Sequence, residues 1–486
     1  MRFVNKHDLL IIARNSGILM VGIGLMCLVP IIVDFLYLEC NALYFLAPSA
    51  ASIYVGLICW RSLDKYKHRK MGLKHGMITS AVIWMYASII GGLIFHFVTG
   101  INIIDGIFES MSALTGSGIT IYPDVEILPY SILFFRAFQQ WVGGLGIIVL
   151  IISFLSKPGS ASSRLYHSEA REDRLKPSIR TTIIETLKIY SIYTVAGIIL
   201  YILAGMPVFD SVCHTFSTIS TGGMSVKNAN IGYYHSDVIN FITIILMILG
   251  ATSFIVQYKI IKTKGKSIIE DFQFKVMISL IAGTSLLIYF ISNIVPMDIL
   301  FHIVSAITTT GASIQSPTVI GAWPVNVIII IMMLMIIGGS NGSTVGALKL
   351  MRVIIFFKGI YKNLREILSP NIVTNLDIKG KKITNDLVAE SGNYITLYLI
   401  CILLSWILLC SYGHNPFDSL FFAISMQGNV GLEIGNMSQS LELPLKVVGI
   451  VSMWIGRLEI YPILITFGAF FDIFKLKKIK RFFRLQ

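Results

Sequence analysis

Asp105-Gly-Ile-Phe-Glu-Ser-Met-Ser-Ala-Leu-Thr-Gly-Ser-Gly118 joins an aspartate to a glycine across thirteen residues, and the arrangement recurs three more times in the chain. The other copies run from Asp210 to Gly222, Asp298 to Gly311 and Asp418 to Gly431, with offsets of twelve, thirteen and thirteen. The first three finish in small hydroxyl residues (LTGSG, ISTGG, TTTGA); the fourth reads QGNVGLEIG. Each copy lies between two long hydrophobic runs. Its apolar stretch has about half the ~20 residues needed to cross a bilayer. Each is therefore read as a short re-entrant helix, capped by its aspartate (Asp105, Asp210, Asp298, Asp418) and closed by a glycine loop. Non-helical backbone at membrane depth survives only against protein or water, so four such segments imply a hydrated vestibule.

The 486 residues are 55% hydrophobic and 13% charged, with a mean hydropathy of +0.76, the balance of an integral membrane protein. Apolar runs at 17–38, 42–60, 78–98, 127–155, 182–203, 238–261, 274–295, 325–337, 394–410 and 447–471 predict ten crossings. A net charge of +13 would suit nucleic acid, but the distribution of the charge argues against it. Basic residues collect in alternate connections, at 61–74, 157–188, 259–275, 349–382 and the tail 475–484, whereas those holding the four repeats have almost none, Lys227 excepted. The positive-inside rule then puts the basic loops and both termini in the cytoplasm, with the repeats opening to the other side of the cell membrane. Six cysteines (Cys27, Cys40, Cys59, Cys213, Cys401, Cys410) show no metal-ligand spacing and read as small hydrophobes. Asp8 and Arg14 interrupt the N-terminus and the first apolar run is long enough to span, so no cleavable leader is expected.

The expected fold is an all-α polytopic membrane protein. Residues 1–74 supply two peripheral N-terminal helices, and four pseudo-repeats follow at 75–180, 181–269, 270–384 and 385–486. Each repeat is a spanning helix, a re-entrant helix, a glycine loop and a second spanning helix. Parallel repeats about an axis along the membrane normal would bring the four loops to one central path.

Such a path suits a dehydrated cation. Backbone carbonyls can replace its hydration shell without fixed charge, and glycine readily adopts the φ values that aim them inward. The residues assigned to this role are Ser117 with Gly118, Thr221 with Gly222, Thr310 with Gly311, and Val430 with Gly431. The short helices also direct partial negative charge toward the centre from their C-termini. A second element is the interruption GGSNGSTVG at 338–346 (Gly338, Gly339, Ser340, Asn341, Gly342, Ser343, Thr344, Gly346), which is too rich in Gly, Ser and Asn to continue a stable helix. It reads either as a packing kink or as a flexible intramembrane gate. A third is Arg457, inside the last apolar run, where a charge costs at least ~2.5 kcal/mol on insertion scales and must meet a partner or a cavity. Glu459 lies two positions on and projects to another helix face, so it is not its obvious partner.

These motifs resemble the Trk/Ktr superfamily of potassium transporters, its TrkH branch most of all. The likeness covers the whole length and includes FRAFQQWVGGLGIIVL (135–150), STISTGGMS (217–225), GGSNGSTVGALKLMR (338–352) and IGRLEI (455–460). It implies potassium uptake through a single-chain filter, with K+ as the permeant ion at filter carbonyls and 338–346 as the gate. It further implies that Arg457 lies on the cytoplasmic side of the filter and closes contacts with the gate. A homodimer is implied, and a cytoplasmic nucleotide-binding ring of the TrkA type through which a nucleotide (ATP, ADP or NAD) would regulate. Channel and H+- or Na+-coupled symport use the same loops and stay open. Arg136, Gln139, Gln140 and Trp141 are read as packing and interface residues. The chain departs from the pattern at Gly116, where threonine is more usual, and at Glu433, where glycine is. Glu433 either hydrogen-bonds behind the filter or adds an anionic site at the outer mouth; the departures bear on strict selectivity for potassium over sodium.

An enzyme is not expected. GGSNGSTVGALK has no GK[ST], and the nine histidines form no HExxH cluster. A transporter of organic solutes would also use broken helices, but its site needs few asymmetric polar groups and not four equivalent loops. An accessory subunit without its own path would have no use for the internal repeat.

Overall fold

The computed structural model describes residues 5–66, 72–146, 179–263, 270–369, 377–378, 381–435 and 437–482. The expected apolar segment 147–155 and the basic residues at 67–70, 157–178 and 264–266, with Lys379 and Arg484, lie outside the described residues. Among those described, the regular structure is helical apart from a small antiparallel ladder, Asp377–Ile378 with Lys381–Lys382. An N-terminal group comprises α1 (Lys6–Cys27), α2 (Ile31–Tyr37) and α3 (Ala42–Ser62). Unit one follows as α4 (Leu73–Thr99), α5 (Ile103–Thr115) and α6 (Tyr130–Leu145). Unit two is α7 (Ile179–Leu203), α8 (Val208–Ile219), α9 (Asp237–Gly250) and α10 (Phe254–Thr263). Unit three is α11 (Phe272–Ile291), α12 (Pro296–Ile307), α13 (Val325–Ile337) and α14 (Leu350–Leu368). Unit four is α15 (Asn385–Ser411), α16 (Pro416–Gly428), α17 (Leu443–Leu458) and α18 (Ile460–Phe482).

The short helices α5, α8, α12 and α16 are 12 or 13 residues long, too short to span at 1.5 Å per residue. Each packs against the long helix of its own unit and against the second helix of the preceding one: α6 on α8, α9 on α12, α13 on α16, and α17 back on α5. The fourth unit thus closes onto the first, and the units form a ring.

Every second helix breaks at a similar place. Helix α6 ends before Gly146 (φ 90°), α13 before Gly338 (φ 72°) and α17 before Glu459 (φ 67°). Helix α9 ends at Gly250, and the following helix turns by 110°; α18 turns by 120° from α17. The sequence signalled only the break at 338–346. Among the described residues six helices are long and apolar enough to span alone, and the two bent pairs bring this to eight. The other two expected crossings correspond to α6, which runs to the edge of the described residues, and α13, which stops at Gly338.

The N-terminal group flanks unit one, α1 lying on α4 and α2 on α6. Helices α1 and α3 cross through small residues. A methyl group added to Gly56 would lie 2.6 Å from the Gly17 carbonyl oxygen and 2.8 Å from the Val21 nitrogen. With lipid as apolar as leucine, such close backbone approach is what holds two membrane helices together. Gly56→Leu is expected to force this crossing apart at a cost of about 1–3 kcal/mol. Lower thermal stability in detergent, with ion flux retained by the folded fraction, is the measurement that checks it.

Candidate functional site

The four glycine loops share one backbone pattern. Each holds two left-handed residues separated by one: Gly116 and Gly118, Thr221 and Gly223, Thr309 and Gly311, Asn429 and Gly431. The residue between them donates its N–H to a serine carbonyl five positions back, Ser117 to Ser112 (2.9 Å), Gly222 to Ser217 (2.8 Å), Thr310 to Ser305 (3.0 Å) and Val430 to Ser425 (3.0 Å). The second loop is therefore one residue out of the register read from the sequence. Gly223, not Gly222, is the counterpart of Gly118, Gly311 and Gly431. Gly222 is equivalent to Ser117, Thr310 and Val430, and Thr221 to Gly116, Thr309 and Asn429. With Gly223 in place, all four offsets from the aspartate are thirteen. The adjacent pair Gly222-Gly223 made the count ambiguous, and the serine five residues before the middle position would have resolved it.

The aspartates are not the caps. Helix α5 is capped by Asn102, whose Oδ1 accepts from the Ile104 N–H (3.0 Å), and α16 by Asn415, which accepts from Phe417 (2.9 Å) and Asp418 (3.3 Å). Pro207 and Val295 precede α8 and α12. Asp105, Asp210, Asp298 and Asp418 all fall one turn later, in the first helical turn, where their charge complements the positive helix end. There they take partners from elsewhere. Asp105 pairs with Lys446 of unit four (2.7 Å), Asp210 accepts from the Tyr234 hydroxyl (2.7 Å), and Asp298 accepts from the Gln315 amide (3.0 Å).

The loops meet in a closed cycle. A methyl group added to Gly118 would overlap the Gly222 carbonyl oxygen, one on Gly223 that of Thr310, one on Gly311 that of Val430, and one on Gly431 that of Ser117. Each unit's glycine thus abuts the next unit's middle carbonyl until the ring returns to its start. At these positions glycine is needed for its positive φ and also for the space it leaves.

The ring is braced from behind. The Gln140 amide donates to the Gly222 carbonyl (2.6 Å) and its oxygen accepts from the Met224 N–H (3.2 Å). Arg136 donates to the Ser225 carbonyl (3.0 Å) and pairs with Glu109 (2.8 Å), both buried. Glu109 also accepts from the Thr120 hydroxyl and the Ile121 N–H. Gln139 reaches Ser110 (3.0 Å), and Trp141 reaches Thr194 (3.0 Å). Arg136 and Gln140 thus pack against loop two, Gln139 against α5 and Trp141 against α7, in keeping with the packing role expected of them. Breaking a buried pair such as Arg136–Glu109 by removing one partner costs about 3–5 kcal/mol. Glu109, inside the first quoted stretch, escaped the sequence reading because its partner is 27 residues away.

Residues 338–346 lie directly beneath the ring. Ser340 and Thr344 donate their N–H groups to the Ala251 (3.1 Å) and Gly250 (3.3 Å) carbonyls, where α9 breaks. The Thr344 hydroxyl meets that of Thr221 (3.0 Å), and the Gly346 N–H donates to the Thr309 hydroxyl (3.0 Å). Asn341 donates its N–H to Gln273 Oε1 (2.9 Å), Gly342 accepts from the Phe254 N–H (3.0 Å), Gly339 accepts from Leu350 (2.9 Å), and Ser343 turns its hydroxyl onto the Ser340 carbonyl (2.6 Å). The Ala347 N–H donates to the Gly428 carbonyl (3.0 Å). Arg457 then straps this segment to α6, its guanidinium donating to the Thr344 (2.6 Å), Gly143 (2.5 Å) and Gly144 (3.0 Å) carbonyls. Glu459 pairs instead with Arg352 (2.6 Å), as its different face implies.

Comparison with known proteins agrees with this architecture. The TrkH family, described as a cation transport protein, matches residues 49–295 and 294–472. An uncharacterized cation transporter of Methanocaldococcus jannaschii is 35% identical over 98% of this chain and 99% of its own. The Trk system potassium uptake protein TrkG of Escherichia coli K12 is 28% identical over 96% of this chain and 99% of its own. Among solved structures, the potassium transporter TrkH from Vibrio parahaemolyticus superposes with a TM-score of 0.81 at 28% identity, covering 94% of this chain and 98% of that one. These are transport proteins and not enzymes, and the chain belongs to the TrkH family of cation transport proteins.

Proposed function

We propose that the chain takes up potassium across the cytoplasmic membrane along the axis enclosed by its four glycine loops. The observation that carries this reading is the closed cycle in which Gly118, Gly223, Gly311 and Gly431 each abut a carbonyl of the next unit. Four neutral backbone turns on one axis are what replacing an alkali ion's water shell demands. An organic solute would need no such cycle. The relatives named as potassium transporters support the choice of ion.

In this reading the filter comprises Gly118, Gly223, Gly311 and Gly431 with the carbonyls of Ser117, Gly222, Thr310 and Val430. Residues 338–346 close the path beneath it, and Arg457 holds them closed by its three carbonyl contacts and by repelling cations from the axis. The basic connections and both termini face the cytoplasm. There they meet a TrkA-type nucleotide-binding ring, and two copies of the chain form the dimer that the family resemblance implies. Units 75–180, 181–269, 270–384 and 385–486 surround the path, and residues 1–74 stand outside it.

Purified protein in liposomes should pass potassium and rubidium in preference to sodium; absence of any monovalent cation flux would refute the proposal. Gly223→Ala and Gly311→Ala, which drive a methyl group into the neighbouring carbonyl, are expected to lower potassium-over-sodium selectivity by about tenfold or more, a loss of about 1.4 kcal/mol in discrimination. Reversal potentials or paired tracer fluxes measure it.

Arg457→Ala removes charged hydrogen bonds worth about 1.5–3 kcal/mol each, so potassium flux without any partner should rise, by about tenfold. Unchanged flux in a correctly inserted variant would take the arginine out of the gate.

A further inference from the structure

The four loops stay in register beyond the ring, and there the fourth unit differs in chemistry. Two residues past each ring glycine stand Thr120, Ser225, Ser313 and Glu433. In the first three units this hydroxyl turns back to a side chain on the short helix: Thr120 to Glu109 (3.0 Å), Ser225 to His214 (3.0 Å) and Ser313 to His302 (2.9 Å). The corresponding residue of α16 is Phe422, which offers nothing to a carboxylate. Glu433 therefore cannot tuck behind its loop as its counterparts do. It accepts from the Ser438 hydroxyl (3.0 Å), half-buried, on the wall of a cavity of about 330 Å³. The ring glycines Gly118, Gly223, Gly311 and Gly431 border the same cavity, on the side away from residues 338–346.

We propose that Glu433 is a cation-recruiting site in this vestibule, holding a hydrated monovalent alkali ion ahead of the glycine ring. This rests on the reading of the ring as a potassium filter. A carboxylate in a narrow low-dielectric mouth raises the local concentration of the ion that enters. No Lys or Arg among the described residues pairs with Glu433 to cancel that effect. Lys227, which also borders the cavity, is engaged by Glu126 (3.9 Å) and stands over the Tyr233 ring; Arg136 is held by Glu109. His214 and His302 lie beneath loops two and three, with their outer ring nitrogens on Ser225 and Ser313.

Burial lifts the Glu433 carboxyl to about 7, with the Glu109 charge adding to the rise and Ser438 opposing it. The site is thus charged above neutrality and loses its charge as pH falls through 7. Recruitment should weaken in the same direction.

The test is rubidium flux through the full-length protein in liposomes as a function of outside concentration, at pH 6 and pH 8. Glu433→Gln is expected to raise the half-saturating concentration at pH 8 by about three- to tenfold, leave maximal flux and ion selectivity in place, and remove the difference between the two pH values. Ser438→Ala keeps the carboxylate but withdraws its donor, so the pH midpoint should move upward. Wild-type half-saturation and pH dependence in Glu433→Gln, or an unmoved midpoint in Ser438→Ala, would overturn the proposal. A wild type that shows no preference among alkali ions would fail the filter reading instead, which separates the two ideas.

Discussion

Within a bilayer no water is available to satisfy an exposed peptide group, and each one left alone costs several kcal/mol. That constraint governs this structure, because the chain places four non-helical loops and four helix breaks at membrane depth. The loops answer it locally, each middle N–H returning to a serine carbonyl of its own short helix. The breaks answer it collectively. The segment at 338–346 bonds to Ala251 and Gly250, where another helix has ended, and to Thr309 on the third glycine loop. Arg457 accommodates the Gly143 and Gly144 carbonyls left over at the end of α6. One broken helix supplies what another lacks, so no single break is stable without its neighbours.

The ring closure has the same logic on a larger scale. Each short helix is gripped by the second helix of the preceding unit, and the last unit grips the first. Lysine and carboxylate reinforce that final joint, since Lys446 of unit four reaches Asp105 of unit one (2.7 Å). A cycle of this kind fixes the distance across its centre far better than an open row of helices would. Neutral oxygens discriminate among alkali ions only when their spacing and number are controlled. On the proposed reading, rigidity behind the loops is part of the chemistry, and the Gln140 and Arg136 contacts to loop two supply it from side chains with no place on the axis.

Much of this was legible in the sequence, since it lies in repetition. Four aspartate-to-glycine stretches between apolar runs give the four-unit plan, and the glycine-rich interruption at 338–346 gives one break. What the sequence hid is what adjacent residues do not determine. Gly222 and Gly223 are adjacent and identical, so counting from the aspartate does not separate them; the positive φ of Gly223 and the Gly222 N–H bond to Ser217 do. The aspartates resemble caps, but Asn102 and Asn415 start their helices one turn earlier. The break at Glu459 carries no glycine; a left-handed non-glycine residue costs on the order of 1–3 kcal/mol, and it is the Arg352 ion pair, 107 positions away in the chain, that holds it. The pairing of Glu109 with Arg136 was hidden for the same reason.

The fourth unit breaks the pseudo-symmetry, and it does so with charge. Its loop has Asn429 and Val430 where the others carry small or hydroxyl residues, and it alone contributes both a carboxylate beyond the ring and a guanidinium beneath it. Four units repeated about one axis all run the same way, so the two ends of such a path already differ, and the fourth unit adds formal charge to that difference. With Glu433 in the vestibule and Arg457 on the far side of the loops, the proposed path is electrostatically polar along its axis, attractive at one mouth and repulsive at the other. The ring carbonyls carry no formal charge of their own to add to it. The formal charges that reinforce the difference between entry and exit on the proposed path come from side chains outside the ring, and in this chain a single unit supplies both of them.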